Sequence, residues 1–479
     1  MSEKKTVDSS AYLAGIKPQL KDLLGQLLNK YEYASVLAVD SEAKQYGVRA
    51  SGISVGDAGL LCSRGFVVKV YNEGEYAEYS FNKLNENITS QAEEIIRTVE
   101  ALKKAVPENI ARLKLTAISD EPVSFKKSTE YEISPEQLGA EGIIDKLTAL
   151  RKRAMEADER ILDSSVRMSY QKYSKLFLSK NRDMEQNVMW TDCFQSFAAR
   201  KGEEVKSYFT SASNLGGVEV LDKLDEKIGH AVETTVALLD SEPMVPGEYD
   251  CICTPEVTGM IVHEAFGHGV EMDMFAKKRA LAEKYVGEYV ASPLVNMHDG
   301  AAAADEVASY FFDDDGVLAK DTVVIENGIL KQGISDTMAA LRLNTEPTGN
   351  SRRESYKRKA YTRMTNTFFE PGKDKLEDMI ASISDGFMLE NATSGMEDPK
   401  NWGIQCMVNM AREIKNGKLT GRIFSPIVLT GYVPDLLKSI SMISDGCELS
   451  GGGFCGKGYK EFVKVSDGGP CIKARIRLG

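Results

Sequence analysis

The sequence predicts an α+β protein of more than one domain with largely antiparallel sheets. Long stretches alternate apolar and polar residues at period two, the pattern of strands with one face in a core. Asn-Gly and Asp-Gly pairs separate short apolar runs, which is a strong short-range hairpin signal. At 479 residues the chain is too long for one hydrophobic core, so two or three domains follow. No internal repeat or low-complexity segment points to another architecture.

In chain order, Leu13, Ile16, Leu20, Leu23, Leu24 and Leu27 recur at three- and four-residue intervals and predict an amphipathic helix over 10–30. "GFVVKVYNEGEYAEYSF" (65–81) reads as a hairpin turned at Asn72 to Gly74, and "TSQAEEIIRTVEALKKAV" (89–106) returns to helical spacing. These elements make an expected N-terminal α/β domain at 1–115. A charged helix, "GIIDKLTALRKRAMEADER" (142–160), precedes a meander at 166–213 whose turns fall at the polar clusters Lys180 to Asp183 and Arg200 to Glu204. With a helix over Leu221 to Leu239 this is the expected central antiparallel domain, 116–240. "SEPMVPGEYD" (241–250) marks the boundary to a C-terminal domain, 241–479. There "FFDDDGVLAKDTVVIENGILKQGIS" (311–335) carries two hairpin signals. Its three aspartates are consecutive, whereas a calcium-binding EF-hand loop needs them alternating, so a turn is the preferred reading.

A net charge of -12 disfavours a nucleic-acid backbone or an anionic membrane as partner. The start of the chain has no signal-peptide core, and no later stretch has the roughly 18 to 20 apolar residues of a membrane span, so a cytoplasmic protein is expected. The eight cysteines (62, 193, 251, 253, 406, 447, 455 and 471) form no compact framework and should remain thiols in a reducing compartment.

The chemistry concentrates in "HEAFGHGVEMD" (263–273), which holds two of only four histidines, with Glu264 beside the first. Zinc hydrolases of the H-E-x-x-H type space their histidines four apart, about 40° round a helix; five apart is about 140°. His263 and His268 can therefore share a metal only if the helix widens between them, as in a π-bulge near Gly267, or ends there. Thr254, Pro255 and Glu256 read as N-cap, first helical position and favourable first-turn acid. Catalytic zinc takes three protein ligands. The third candidate is Glu271, Asp273, His298 or a cysteine, among which Cys455 sits on the glycine-dense "GGGFCGKGYK". That loop also matches G-x-x-x-x-G-K, but Gly458 stands where a P-loop needs Ser or Thr, and "YKEFVKVSD" alternates like a strand where a helix should open.

"HEAFGHGVEMD", "ASPLVNMHDG" (291–300), "YFFDDDGV" (310–317), "IENGILKQGISD" (325–336), "PTGNSRRES" (347–355), "RMTNTFFEPG" (363–372) and "CGKG" (455–458) together resemble the TldD/PmbA metalloproteases, specifically their TldD-type catalytic subunit. The resemblance implies zinc held by His263, His268 and Cys455, with Glu264 as general base. It further implies cleavage of peptides and unfolded polypeptides, including leader segments of modified peptides, commonly as a heterodimer with a related subunit lacking the motif. A homodimer is the alternative. The family's late motif often reads C-G-K-x-G-Q, whereas Tyr459 and Lys460 occupy the Gly-Gln places here, which bears on substrate selection. Two rival functions remain: a zinc hydrolase of a non-peptide bond, since ligands alone do not fix a substrate, and a non-catalytic binding subunit, against which the intact Glu264 argues.

Overall fold

The computed structural model describes residues 4–105, 114–459 and 461–479. Val106 of the expected second helix and Lys460 of the late motif lie outside the described residues.

The N-terminal half is one eight-stranded sheet. Its main path runs from Glu204–Leu215 through Arg182–Lys201, Ile161–Ser179, Tyr33–Arg49 and Ser63–Asn72 to Glu75–Phe81. The two expected hairpin regions supply the neighbours. Asn72 pairs with Glu75 across Glu73 (φ 52°) and Gly74 (φ 88°), the two left-handed residues of a type I′ turn. The meander turns lie between Ser179 and Arg182 and between Lys201 and Glu204. Ser35 to Val48 pair with Ser179 to Val166, so the expected division at residue 115 runs through a single sheet. Local alternation shows each strand but carries no signal for which distant strand it joins.

Helix Ala11–Leu28 covers one face with Leu13, Leu20, Leu23, Leu24 and Leu27 buried, and Ser10 caps it by accepting from Leu13 N at 3.1 Å. The helix expected from Gly142 is entered earlier. Pro135–Ala157 begins behind the cap Ser134 and is interrupted at Gly139 (φ 75°), three residues before the regular pattern starts. Val220–Ala237 completes the layer.

In the C-terminal half, Gly247–Cys253, Asp385–Asp398, Gly403–Lys415, Ile427–Tyr432 and Ile472–Leu478 pair in that order. The last strand pairs back to the first, closing a barrel. A second sheet holds Thr322–Glu326 and Ile329–Leu330, joined through Asn327 (φ 50°) and Gly328 (φ 81°) as the Asn-Gly signal predicts. It also places Asn366–Phe369 parallel to Ser466–Gly469. The Asp-Gly signal yields only a single bridge, Phe312 to Leu318.

The three aspartates of that turn are buried and face the N-terminal sheet. Asp313 accepts from Asp315 N, Val317 N and Ser351 N, each at 2.9 Å. Asp314 takes Lys175 Nζ at 2.5 Å and Arg353 N at 2.8 Å, while Asp315 is paired with Lys69. Lys69 also meets Glu78 at 3.3 Å, and Glu78 meets Arg353 at 3.3 Å. The turn is thus an electrostatic lock between the two halves.

Among the described residues no helix is long and apolar enough to cross a membrane, and all eight cysteines are free.

Candidate metal centre

The motif segment starts as expected and then changes its winding. Thr254 holds the N-cap place and Pro255 the first helical position, although the Thr254 hydroxyl donates to Glu256 Oε2 at 2.9 Å and caps no backbone group. α-Helix runs through Met260, π-helix follows from Ile261 to Gly267, and a 3-10 turn takes over at His268–Val270. The widened turn closes on the histidines themselves, since His268 N donates to His263 O five residues back. Their rings end 5.2 Å apart with perpendicular planes.

Two glycines make room for this winding. A Cβ on Gly267 would lie 2.2 Å from Met364 Sδ, and one on Gly395 would lie 2.6 Å from Glu264 Cγ. Any side chain at either position would push into the turn.

The strand Phe454–Lys457 brings Cys455, whose Sγ is 3.5 Å from His268 Nε2. The ligand atoms of His263, His268 and Cys455 all lie within 4.8 Å of one another, and no other such His/Cys/Asp/Glu group occurs among the described residues. The other candidates are engaged elsewhere. Glu271 accepts from His268 Nδ1 at 3.1 Å and meets Lys457 at 3.0 Å. Asp273 meets Lys457 at 2.7 Å and Lys277 at 2.9 Å, and His298 is held by Asp321 at 2.7 Å and Glu370 at 2.9 Å. The lysine of the P-loop-like string therefore serves Glu271 and Asp273, on a hairpin of Phe454–Lys457 with Glu461–Lys464. Tyr459 at its tip is 90% exposed.

The electrostatics suit a cation. Burial pushes the Cys455 thiol up, but the two histidines beside it outweigh that and hold it well below its ordinary value, favouring thiolate. Burial pulls both histidines down; Cys455 and the carboxylates outweigh it and raise them, Asp467 acting at His263 and Glu271 at His268. For Glu271, burial is overcome by Lys457 and His268, which bring it to about 2. Glu264 is raised by burial.

Asp467 and Glu397 lie outside the motifs, and Arg363, the first residue of "RMTNTFFEPG", carries no signal there of its role at the centre. Asp467 Oδ2 stands 3.6 Å from His263 Nδ1. Buried Arg363 donates to the backbone oxygens of Cys455 and Glu461. Glu397 lies against Gly269, and burial pushes its carboxyl up to about 9. Several polar atoms here have no hydrogen-bond partner: His263 Nδ1, Glu271 Oε1, both Glu397 oxygens and Trp402 Nε1. Such orphans are rare in folded proteins and ask for a ligand or a function. Two imidazoles and a stabilised thiolate are a donor set that zinc favours.

A model of the PmbA/TldA metallopeptidase C-terminal domain matches residues 246–475. The chain is 32% identical over 284 residues to a metalloprotease of Methanothermobacter thermautotrophicus, covering 59% of this chain and 62% of that protein, slightly under two thirds of its length. It is 30% identical over 317 residues to a metalloprotease of Methanocaldococcus jannaschii, covering 66% and 69%. A zinc metalloprotease TldD homolog of Saccharolobus solfataricus is 33% identical over 237 residues, covering 49% and 52%. Among solved structures, TldE from Thermococcus kodakarensis shares the fold with a TM-score of 0.74 at 18% identity, covering 96% of this chain and 99% of that one.

Proposed function

The chain belongs to the PmbA/TldD metallopeptidase family, and from that premise we propose that it hydrolyses peptides or unfolded polypeptides at a zinc ion held by His263, His268 and Cys455. The observation that carries this reading is the convergence of those three donors on a turn widened by one residue. When bound, zinc supplies Lewis acidity and lowers the pKa of water toward ~7.

The chain's own groups do the rest. Glu264, on the same turn, accepts the proton of the attacking water and returns it to the leaving amine; its burial-raised carboxyl is better matched to that exchange than an exposed one. Glu271 fixes His268 with the Nδ1 proton toward it and Nε2 toward the cluster, and Lys457 holds Glu271. Asp467 faces His263 from the other side. Arg363 fixes the backbone at Cys455. Backbone hydrogen bonds to an extended substrate would tolerate varied sequences and spare folded domains.

The proposed partner is a related subunit lacking the motif, in keeping with the likeness to TldE, with a homodimer as the alternative; the proposed location is the cytoplasm. The test is zinc per chain beside peptide cleavage for the wild type, Glu264→Gln and His263→Ala, with any accompanying subunit retained. Glu264→Gln should keep zinc and lose cleavage, and His263→Ala should lose both. Wild-type cleavage by Glu264→Gln would overturn the mechanism.

A further inference from the structure

The strand Glu204–Leu215 is an edge of the N-terminal sheet, and between it and Asp385–Asp398 of the barrel runs a cleft of about 270 Å³. The cleft reaches the neighbours of the candidate centre. Asp467, beside His263, lines it, and so does Met260, the last residue before the winding changes. A Cβ on Gly395 would meet Glu264 Cγ at 2.6 Å and Met260 Sδ at 2.8 Å, so the general base and the thioether lie together beneath the same strand.

The opposite wall is aromatic. Phe194 and Phe209 stack with centroids 5.3 Å apart and planes at 24°. Both are half-buried, and neither belongs to a hydrophobic core among the described residues. The barrel strand is shaped to the cleft. Its pairing slips between Ala392 and Ser394, and Asn391 takes φ 64°, a left-handed backbone that is strained for a residue with a side chain. The Asn391 amide donates to Phe209 O at 3.0 Å, tying the bulge to the aromatic strand.

We propose that this cleft takes a large apolar side chain, aromatic by preference, from the peptide residue flanking the scissile bond, with Phe209 and Phe194 as specificity-determining residues. This rests on the peptidase reading above. Stacked rings and a thioether supply apolar and edge-on contacts suited to an aromatic group. Three carboxylates, Glu256, Glu448 and Asp467, line the cleft against one cation, Lys227, whose Nζ donates to Ser211 O at 3.2 Å, so the balance disfavours an acidic side chain. The expected order at that position is Phe, then Leu, then Ala, with Asp last.

The experiment uses the zinc-loaded protein with whatever subunit purifies with it. An unstructured peptide library, with cut sites mapped by mass spectrometry, identifies the enriched position; matched peptides carrying Phe, Ala or Asp there then give kcat/KM. Phe should exceed Ala by about tenfold or more, with Asp lowest. Phe209→Ala and, separately, Phe194→Ala should bring the Phe-to-Ala ratio toward one while zinc per chain stays constant. Because the ratio is taken within one preparation, a partly misfolded variant still reports it. Equal cutting of Phe and Ala peptides by the wild type, or an unchanged ratio in both variants, would overturn the assignment. Failure of the zinc-loaded wild type to cut any peptide would instead remove the peptidase reading, and this inference with it.

Discussion

Two buried clusters of charge sit in the C-terminal half, and they are finished to different degrees. Around Asp313, Asp314 and Asp315 every carboxylate has a backbone or cationic partner; Lys69 and Lys175 come from the other half of the molecule, and Arg353 adds a cation from this one. Around His263, His268 and Cys455, six polar atoms have no hydrogen-bond partner, Arg363 Nε among them. A buried polar group without a partner costs roughly 1–3 kcal/mol. A cluster whose carboxylates are all answered, with only Ser351 Oγ and Arg353 Nε left over, stabilises the fold as it stands; one whose carboxylates and imidazole are left open is completed only when something else arrives. That contrast separates an assembly lock from a centre for ligand and chemistry more sharply than burial or charge count does.

The hardest test of the contrast is at Glu264. Glu264→Gln should lower peptide cleavage by ~10² to 10⁴ while leaving zinc content and thermal stability nearly unchanged. If the zinc went with the activity, the glutamate would be a ligand and the division of roles would collapse.

The lock should behave in the opposite way. Lys69→Met leaves Asp315 buried without its cation and should cost about 3–5 kcal/mol in denaturant unfolding, with zinc per folded chain unaltered. The pH dependence has a definite sign. Burial pushes Asp315 up, but Lys69 and Arg353 outweigh it and bring it from 3.8 down to about 2. Its stabilisation is therefore present above pH 3.8 and lost as the pH falls toward 2. Asp315→Asn should flatten that part of the acid-unfolding curve.

Lys457 probes the border between the clusters' two styles. Lys457→Met removes the cation that holds Glu271, loosens the orientation of His268, and should weaken zinc about 10- to 100-fold by competition with a chelator. Unchanged zinc affinity would show that His268 needs no such support.

At pH 5 the smallest effect is expected at Glu397. With its carboxyl pushed up to about 9, the folded chain keeps a proton that the unfolded chain, near 4.5, releases. Wild-type stability therefore falls as the pH rises from 4.5 toward 9, and Glu397→Gln lacks that fall. In metal-free protein the two should agree within about 1 kcal/mol at pH 5, with the variant gaining on the wild type as the pH rises. Parallel curves would mean that the carboxyl is ionised throughout.

Much of this was legible in the sequence wherever the cause is local. The Leu13 to Leu27 spacing, the Asn72–Gly74 and Asn327–Gly328 turns and the Pro255 start are written in neighbouring residues. The five-residue interval between His263 and His268 narrows the winding to a widened turn or a helix end at Gly267 if the two are to meet, and the structure has the widened turn. Legibility ended where partners are distant. Nothing near Tyr33 names Ile161–Ser179 as its neighbour, so the N-terminal sheet was divided at 115. Gly458 and the strand-like sequel exclude a nucleotide loop at Lys457, but its actual carboxylate partners lie too far back in the chain to be read from the string itself. Asp467 and Glu397 belong to unremarkable strings, Arg363 opens a motif that says nothing of its partners, and only the fold brings all three to the centre. The aspartate turn was read as a turn, but its burial against Lys69 and Lys175 was invisible without the tertiary structure.

The interval between His268 and Cys455, 187 residues, also sets an order of events during synthesis. The two histidines leave the ribosome long before the cysteine, and closing so long a loop has an entropic cost that the barrel strands between them, Asp385–Asp398, Gly403–Lys415 and Ile427–Tyr432, must offset. A growing chain therefore cannot assemble the three-donor set. The completed set links distant parts of the C-terminal half, so on the proposed reading metal uptake would report that this half has folded, and a nascent copy would not yet carry the proposed hydrolytic chemistry.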